Sequence, residues 1–225
     1  MKTKLSAEFL TKRRHRRQAP AFVCLIGERF QLCYGPPFNT GETELTTRLI
    51  IRLSASVPSA FGSVSLHQTT QWCLQALEKY YQGGRLLDVG TGNGLLAICA
   101  ARLAQWQGHD FKIEAFDVYR DAVHQARINL RLNGLDREIQ LRQGILSDYP
   151  TRSYQNVVVN LPPVIIPLLL HDLMEMVVPR GILILSGFLH HDLVRISECF
   201  RNAGFTILET ISTDLWCMLV TQLAS

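Results

Sequence analysis

From residue 67 to the C-terminus the apolar positions switch repeatedly between the spacing of a buried strand and that of a helix. Thr69–Tyr81 carries Trp72, Leu74, Leu77 and Tyr80 at helical spacing and ends at Gly83-Gly84. The short apolar run Arg85–Val89 predicts a strand, and Gly94–Gln105 a helix. Lys112–Phe116 reads as a strand, and Arg120–Leu132 as a helix closed by Asn133-Gly134. Strands at Ile139–Arg142 and Asn156–Val159 follow, then a helix over Ile166–Met176. Gly181–Ser186 is the next strand, and His191–Asn202 the next helix, stopped by Gly204. Thr206–Ile211 and Leu215–Thr221 are strands joined by so short a turn that they must run antiparallel.

Strand–helix alternation of this kind predicts an α/β fold, a doubly wound and mostly parallel sheet with helices on both faces. Upstream the pattern is weaker. Residues 21–66 are rich in Thr, Ser, Pro and Gly, with strand-like runs at Phe30–Tyr34 and Leu49–Leu53. The expected organisation is a basic arm over 1–20, an N-terminal extension or cap over 21–66, and the main domain over 67–225.

Composition adds that the chain can bury a core, being 47% hydrophobic and 19% charged. No apolar run reaches the roughly 18 residues of a membrane span, and no secretory leader is visible. None of the six cysteines stands in a CxxC pair, and Cys73, Cys99, Cys199 and Cys217 lie among apolar residues. These features predict a reduced, cytoplasmic protein without a metal site or membrane partner. The charge is unevenly placed. Residues 1–20 hold seven Lys/Arg against Glu8, so the arm carries +6 of a net +4 and the remainder sums to −2. Residues 11–17 are the expected contact for an acidic surface or a nucleic acid, if the arm is more than a solvated tail.

The segment that narrows the chemistry is Asp88-Val89-Gly90-Thr91-Gly92-Asn93-Gly94-Leu95, which leaves a predicted strand and opens a helix. Glycines there let a ligand approach the backbone. A dinucleotide fingerprint starting at Gly90 would need Gly or Ala where Leu95 stands. Asp88 would repel a pyrophosphate but suits a ligand carrying an ammonium and a sulfonium. Both point to S-adenosyl-L-methionine rather than a nicotinamide dinucleotide, with Asp88, Gly90, Gly92 and Gly94 as cofactor-binding residues. Asp117 ends the second strand of this series, where a carboxylate can accept both ribose hydroxyls. Asn160-Leu161-Pro162-Pro163 ends the fourth. The Asn160 carboxamide oxygen and a neighbouring carbonyl could accept two N–H bonds from an amine and aim its lone pair, making Asn160 the expected catalytic residue.

These motifs resemble the class I methyltransferases, whose variation on the doubly wound plan is the closing antiparallel hairpin. Ala60-Phe61-Gly62 through His67-Gln68-Thr69-Thr70 is similar to a loop of the PrmA-type ribosomal-protein methyltransferases that folds over the cofactor. Leu185–Leu189 and Trp216 match that family's tail, so the resemblance spans residues 60–225. By position it adds Phe61 and Thr69 to the cofactor contacts and places Asn160 at the cofactor or the reacting centre. The chain departs from the family at Gln68, which replaces a Pro, and at the Pro pair after Asn160, closer to amine and amide N-methyltransferases. After the third strand it has Gly144-Ile145, with Asp148 displaced, and residues 1–59 show no counterpart of the family's ribosomal-protein-binding domain. The expected function is methyl transfer to a nitrogen of a protein side chain or a small amine-bearing metabolite. The alternative is a non-catalytic S-adenosylmethionine-binding or interaction protein with the same fold. His67, His190, His191 and Asp148 are the candidates for a proton acceptor.

Overall fold

The computed structural model describes residues 22–34, 49–54 and 66–225. The basic arm, with residues 11–17, and the loop containing Phe61 lie outside the described residues.

Seven strands form the main sheet: β4 (Gly84–Val89), β5 (Phe111–Asp117), β6 (Ile139–Gln143), β7 (Tyr154–Asn160), β8 (Val177–Leu189), β9 (Phe205–Ser212) and β10 (Trp216–Leu223). Their spatial order is β6-β5-β4-β7-β8-β10-β9. All neighbours pair in parallel except those of β10, which runs antiparallel to both β8 and β9. The chain reverses its direction of travel across the sheet between β4 and β7, and open α/β sheets bind ligands in the crevice at such a switch point.

Five helices cover the sheet: α1 (Gln68–Tyr80), α2 (Leu95–Gln107), α3 (Arg120–Leu132), α4 (Ile166–Met176) and α5 (Leu193–Asn202). Two buried clusters result. One joins α1, α2 and the end of α3 to the sheet, and the other joins α4 and α5 to it. Helix α2 is unusual in its sequence, since Leu95 through Ala101 are buried without a break. A helix apolar all round needs cover on every side. The cover comes from a second sheet of β1 (Phe22–Ile26), β2 (Phe30–Tyr34) and β3 (Leu49–Leu53). Phe30, Leu32, Ile51 and Leu53 of this sheet are fully buried in the same cluster as α2. Strand β2 pairs antiparallel with β1 and parallel with β3. The small sheet is also tied down by polar contacts. Glu78 of α1 accepts the Glu28 and Arg29 backbone N–H groups at 3.2 and 2.6 Å, and the Arg29 guanidinium lies 3.9 Å over the Trp106 ring.

The expected elements from β2 onward are present, with ends shifted by a residue or two in most cases. Three differences have physical causes. Strand β1 was not expected, because Phe-Val-Cys-Leu-Ile does not alternate; it is completed by pairing with β2 across the turn at residues 27–29. Strand β8 begins at Val177 rather than Gly181, since pairing with β7 shifts register from Tyr154↔Val177 to Asn156↔Ile182. Arg180 takes φ +64 at that irregularity, a conformation rare for a side-chain-bearing residue. Helix α5 begins at Leu193, because His190–Asp192 forms a single tight 3-10 turn first. Of the four cysteines placed in the core, Cys73, Cys99 and Cys217 are buried, whereas Cys199 is half-buried; Cys33 is buried in addition. Among the described residues no helix is long and apolar enough to cross a membrane.

The β8 irregularity leaves no room at Gly181. A Cβ there would lie 2.6 Å from Val177 Cγ1 and 2.8 Å from the Val178 carbonyl oxygen. Gly181→Ala should therefore destabilise the protein by about 1–3 kcal/mol, the cost of overpacking a fixed backbone. Urea denaturation measures it; an unchanged midpoint would mean the turn relaxes freely.

Candidate functional site

The carboxyl edge of β4 turns sharply into α2, and three glycines make the turn. Gly90, Gly92 and Gly94 adopt φ of +68°, +56° and +82°, which only glycine takes readily. Their surroundings differ. A Cβ on Gly90 would meet Leu161 Cδ2 at 2.3 Å, and one on Gly94 would meet Ala126 Cβ of α3 at 3.2 Å. A Cβ on Gly92 would meet no atom of the described residues within 4 Å. A side chain on Gly90 or Gly94 would crowd Leu161 or Ala126, whereas Gly92 has open space beside it.

Asp88 lies beneath this loop, 1% exposed. Its Oδ2 accepts from Thr91 Oγ1 at 2.6 Å and from the Ala97 N–H at 3.1 Å. Its Oδ1 is buried with no partner among the described residues. Burial raises its pKa to about 6; the bonds from Thr91 and Ala97 oppose the shift, and the charge of Asp117 adds to it. At neutral pH a buried carboxylate with a bare oxygen calls for a cationic neighbour.

Asp117 ends β5 and is also buried. Its Oδ2 accepts the Gly92 N–H at 2.9 Å and its Oδ1 accepts the Tyr119 N–H at 3.0 Å. A carboxylate has about four acceptor positions, so two are left for a diol. Val118 and Ile145 are exposed apolar side chains immediately after β5 and β6. Asp148 accepts the Ile145 N–H at 2.9 Å and so closes the turn after β6.

Asn160 ends β7 across the switch point. Its Nδ2 donates to Thr70 Oγ1 at 2.9 Å, which fixes the plane of the carboxamide. Oδ1 has no hydrogen-bond partner among the described residues, and it lies 3.1 Å from where a Gly187 Cβ would stand. The same imagined Cβ would come within 2.2 Å of the Leu161 carbonyl oxygen, so Gly187, at φ +94, is what lets these two acceptors sit beside β8.

The amino end of α1 supplies the remaining wall. His67 caps the helix: its Nδ1 lies 2.7 Å from Thr69 Oγ1 and 3.4 Å from the Thr69 nitrogen. Its ring packs edge-on against Trp216, with centroids 5.2 Å apart. Thr69 is buried with its hydroxyl against His67, whereas Thr70, to which the sequence reading gave no role, reaches the reacting side. The signal was present in the pair of threonines at a helix start, but a helix turn of one residue decides which of them faces the crevice. His190 lies 3.9 Å from Cys217 Sγ, and His191 pairs with Asp192 at 3.5 Å. Neither bonds to Asn160 or Thr70. Of the expected site residues, Asp88, Gly90, Gly92, Gly94, Asp117, Asn160 and Thr69 line the carboxyl edge or its immediate support; Phe61 lies outside the described residues.

These groups fit S-adenosylmethionine. The unpartnered Asp88 Oδ1 suits a cation, the free acceptor positions of Asp117 suit ribose hydroxyls, and Gly92 keeps the path clear. Two carboxylates at the loop suit a pyrophosphate poorly.

Comparison with known proteins places the chain. The family model described as ribosomal protein L11 methyltransferase (PrmA) matches residues 24–224, so the likeness begins well before residue 60 and takes in β2 and β3. The chain is 34% identical to the ribosomal protein L11 methyltransferase of Bacillus subtilis and 32% to that of Bacillus velezensis, each over 198 residues. Those alignments cover 88% of this chain and 60% of each relative, so the chain spans about 60% of the length of these curated relatives. In structure it is similar to a ribosomal protein L11 methylase from Lactobacillus delbrueckii subsp. bulgaricus, with a TM-score of 0.74 and 24% identity, covering 90% of this chain and 98% of that one. A putative RNA methyltransferase from Pyrococcus horikoshii shares the main fold at a TM-score of 0.57. By the extent of the family match and the identity to these relatives, the chain belongs to the ribosomal protein L11 methyltransferase (PrmA) family.

Proposed function

We propose that this chain binds S-adenosylmethionine against Gly90–Gly94 and transfers its methyl group to an amine nitrogen of a protein side chain. The names of its relatives point to a ribosomal protein as the acceptor. The observation that carries the choice of nitrogen is Asn160: its amide nitrogen is held by Thr70, so its oxygen is the atom presented to a substrate. An acceptor oxygen so fixed recognises an N–H donor.

The bound cofactor supplies the methyl group together with its own leaving group. The protein's part is placement. Asp88 balances positive charge from below, and Asp117 anchors the far end by hydrogen bonds. Asn160 Oδ1, with the Leu161 carbonyl beside it, takes N–H bonds from a neutral amine and turns its lone pair towards the loop. Orientation of this kind can supply about 7–11 kcal/mol in favourable cases. Gly187 matters to this geometry through what it omits, since a side chain there would push both acceptors away.

Gly92→Ala tests the loop. The added methyl meets no described atom, so the folded protein should lose only about 1–2 kcal/mol, the strain of a left-handed alanine. Calorimetric affinity for S-adenosylmethionine should fall tenfold or more; a folded variant that binds normally would remove the cofactor from this loop.

Asp88 gives the binding a pH dependence. A cation beside it favours its ionised form, so cofactor binding must expel a proton from a group with a pKa of about 6. Affinity should rise with pH through about 6 and level off near 7, and Asp88→Asn should flatten that profile. The stability of the ligand-free protein follows the opposite course. Because the folded pKa lies above the unfolded value of about 3.9, stability falls between about pH 4 and pH 6. A flat binding profile in the parent protein would rule out the charge contact.

Asn160→Ala should lower turnover by about 100-fold while cofactor affinity stays within a factor of three, because the contact is made to the reacting group. Asn160→Asp should keep part of the activity, since Thr70 can then donate its hydroxyl to the carboxylate. Equal losses of turnover and cofactor affinity would make Asn160 a cofactor contact instead, and a product methylated on oxygen or carbon would end the amine assignment.

A further inference from the structure

We propose that Asn129 is a positioning residue for the cofactor loop, its own side chain, rather than the docking of the small sheet as such, holding the loop in the shape that takes S-adenosylmethionine. The inference rests on the cofactor reading above.

Gln125 and Asn129 of α3 and Asn133, its C-cap, stand four residues apart, so their carboxamides form one stripe along the helix. That stripe faces the edge of β3 not paired with β2, an edge with no neighbouring strand among the described residues. Asn133 Oδ1 accepts the Arg52 N–H at 3.0 Å while its Nδ2 donates to the Arg52 carbonyl at 2.7 Å. Gln125 Nε2 donates to Ser54 Oγ at 2.8 Å, and Asn129 Oδ1 accepts the Ser54 N–H at 2.9 Å. Side-chain amides thus satisfy a strand edge that would otherwise be left unpaired.

Asn129 does one thing more. Its Nδ2 donates at 2.8 Å to the carbonyl oxygen of Asn93, the residue between Gly92 and Gly94. A single carboxamide, 1% exposed, therefore bridges the end of β3 and the middle of the glycine loop. Ala126, one turn earlier, supports Gly94 from the same helix face. The loop needs such a tie, because glycines at alternate positions leave its backbone with more conformational freedom than any other residue would. The side chains on either side in the stripe grip β3 without touching the loop.

The test compares three variants. Asn133→Ala loosens β3 and leaves the Asn93 bond in place. Asn129→Ala removes both bonds. Asn129→Asp keeps an acceptor for the Ser54 N–H but replaces the donor to Asn93 with a carboxylate oxygen that repels it. Two readouts are needed: calorimetric affinity for S-adenosylmethionine, and hydrogen exchange of the Gly92–Leu95 amides without ligand. Asn129→Ala and Asn129→Asp should weaken binding tenfold or more and speed loop exchange. Asn133→Ala should lower the unfolding temperature yet keep affinity within twofold and loop exchange unchanged. Should Asn129→Ala fail to fold, Asn129→Asp carries the comparison. Parent-like binding and exchange in Asn129→Asp, or equal weakening in Asn133→Ala, would overturn the proposal. A parent protein that does not bind S-adenosylmethionine would sink the cofactor reading, and the exchange data would still decide whether Asn129 holds the loop.

Discussion

The structure depends on the burial of α2. A helix with seven consecutive buried residues at its start has no face to give to water, and it is held between the main sheet and the three-stranded sheet over it. Each fully buried aliphatic side chain contributes about 1.5–3 kcal/mol through area removed from water. That sandwich fixes where α2 begins, at Leu95 with Gly94 as its N-cap. The glycine loop therefore has one end against a fully buried helix turn and the other in β4, so Gly92 is a short span between two rigid supports. Asp88 uses the same anchorage, since its Oδ2 is tied to the first turn of α2 through the Ala97 N–H.

The two halves of the site are built on different principles. On the β4–β5 side the groups are carboxylates and backbone, suited to a ligand whose charge and hydroxyls are constant. On the β7–β8 side they are a neutral carboxamide, a backbone carbonyl and a glycine, a set without charge of its own. The switch point of the sheet lies between them. Thr70 belongs to the second half, because α1 packs on β8 and β10 while its first turn reaches Asn160. The amide orientation at Asn160 is thus set by a helix that precedes the whole sheet in sequence.

Much of this was legible in the chain. The alternation of strand and helix patterns in residues 67–225 is strong because each element is buried on one or both faces, and α3 and α4 have the ends expected of them. The glycine loop, Asp117 and Asn160 were legible as positions at strand ends, which the sequence pattern marks. What the sequence hid was long-range. Phe22–Ile26 pairs with β2 across the short turn at residues 27–29, but as an unbroken apolar run it carries no alternation, and its cover over α2 is tertiary. Thr70 rather than Thr69 meets Asn160 through a contact spanning 90 residues, and Gln125, Asn129 and Asn133 read as an ordinary polar helix face until β3 is placed against them. The likeness to the family was likewise seen from residue 60 onward, because the earlier strands carry packing rather than motif.

The reversed direction of β10 has a consequence for how such a crevice is walled. The parallel strands present their finishing ends to the ligand, but β10 presents its beginning, so Trp216 enters the wall from the turn that joins it to β9. That turn is closed on itself, with Thr213 bonded to Trp216 through both backbone and hydroxyl. One side of the crevice is consequently furnished by an exchangeable hairpin tip, remote in sequence from the glycine loop. Substrate preference can drift there by insertion or replacement while the cofactor's half of the site keeps its geometry.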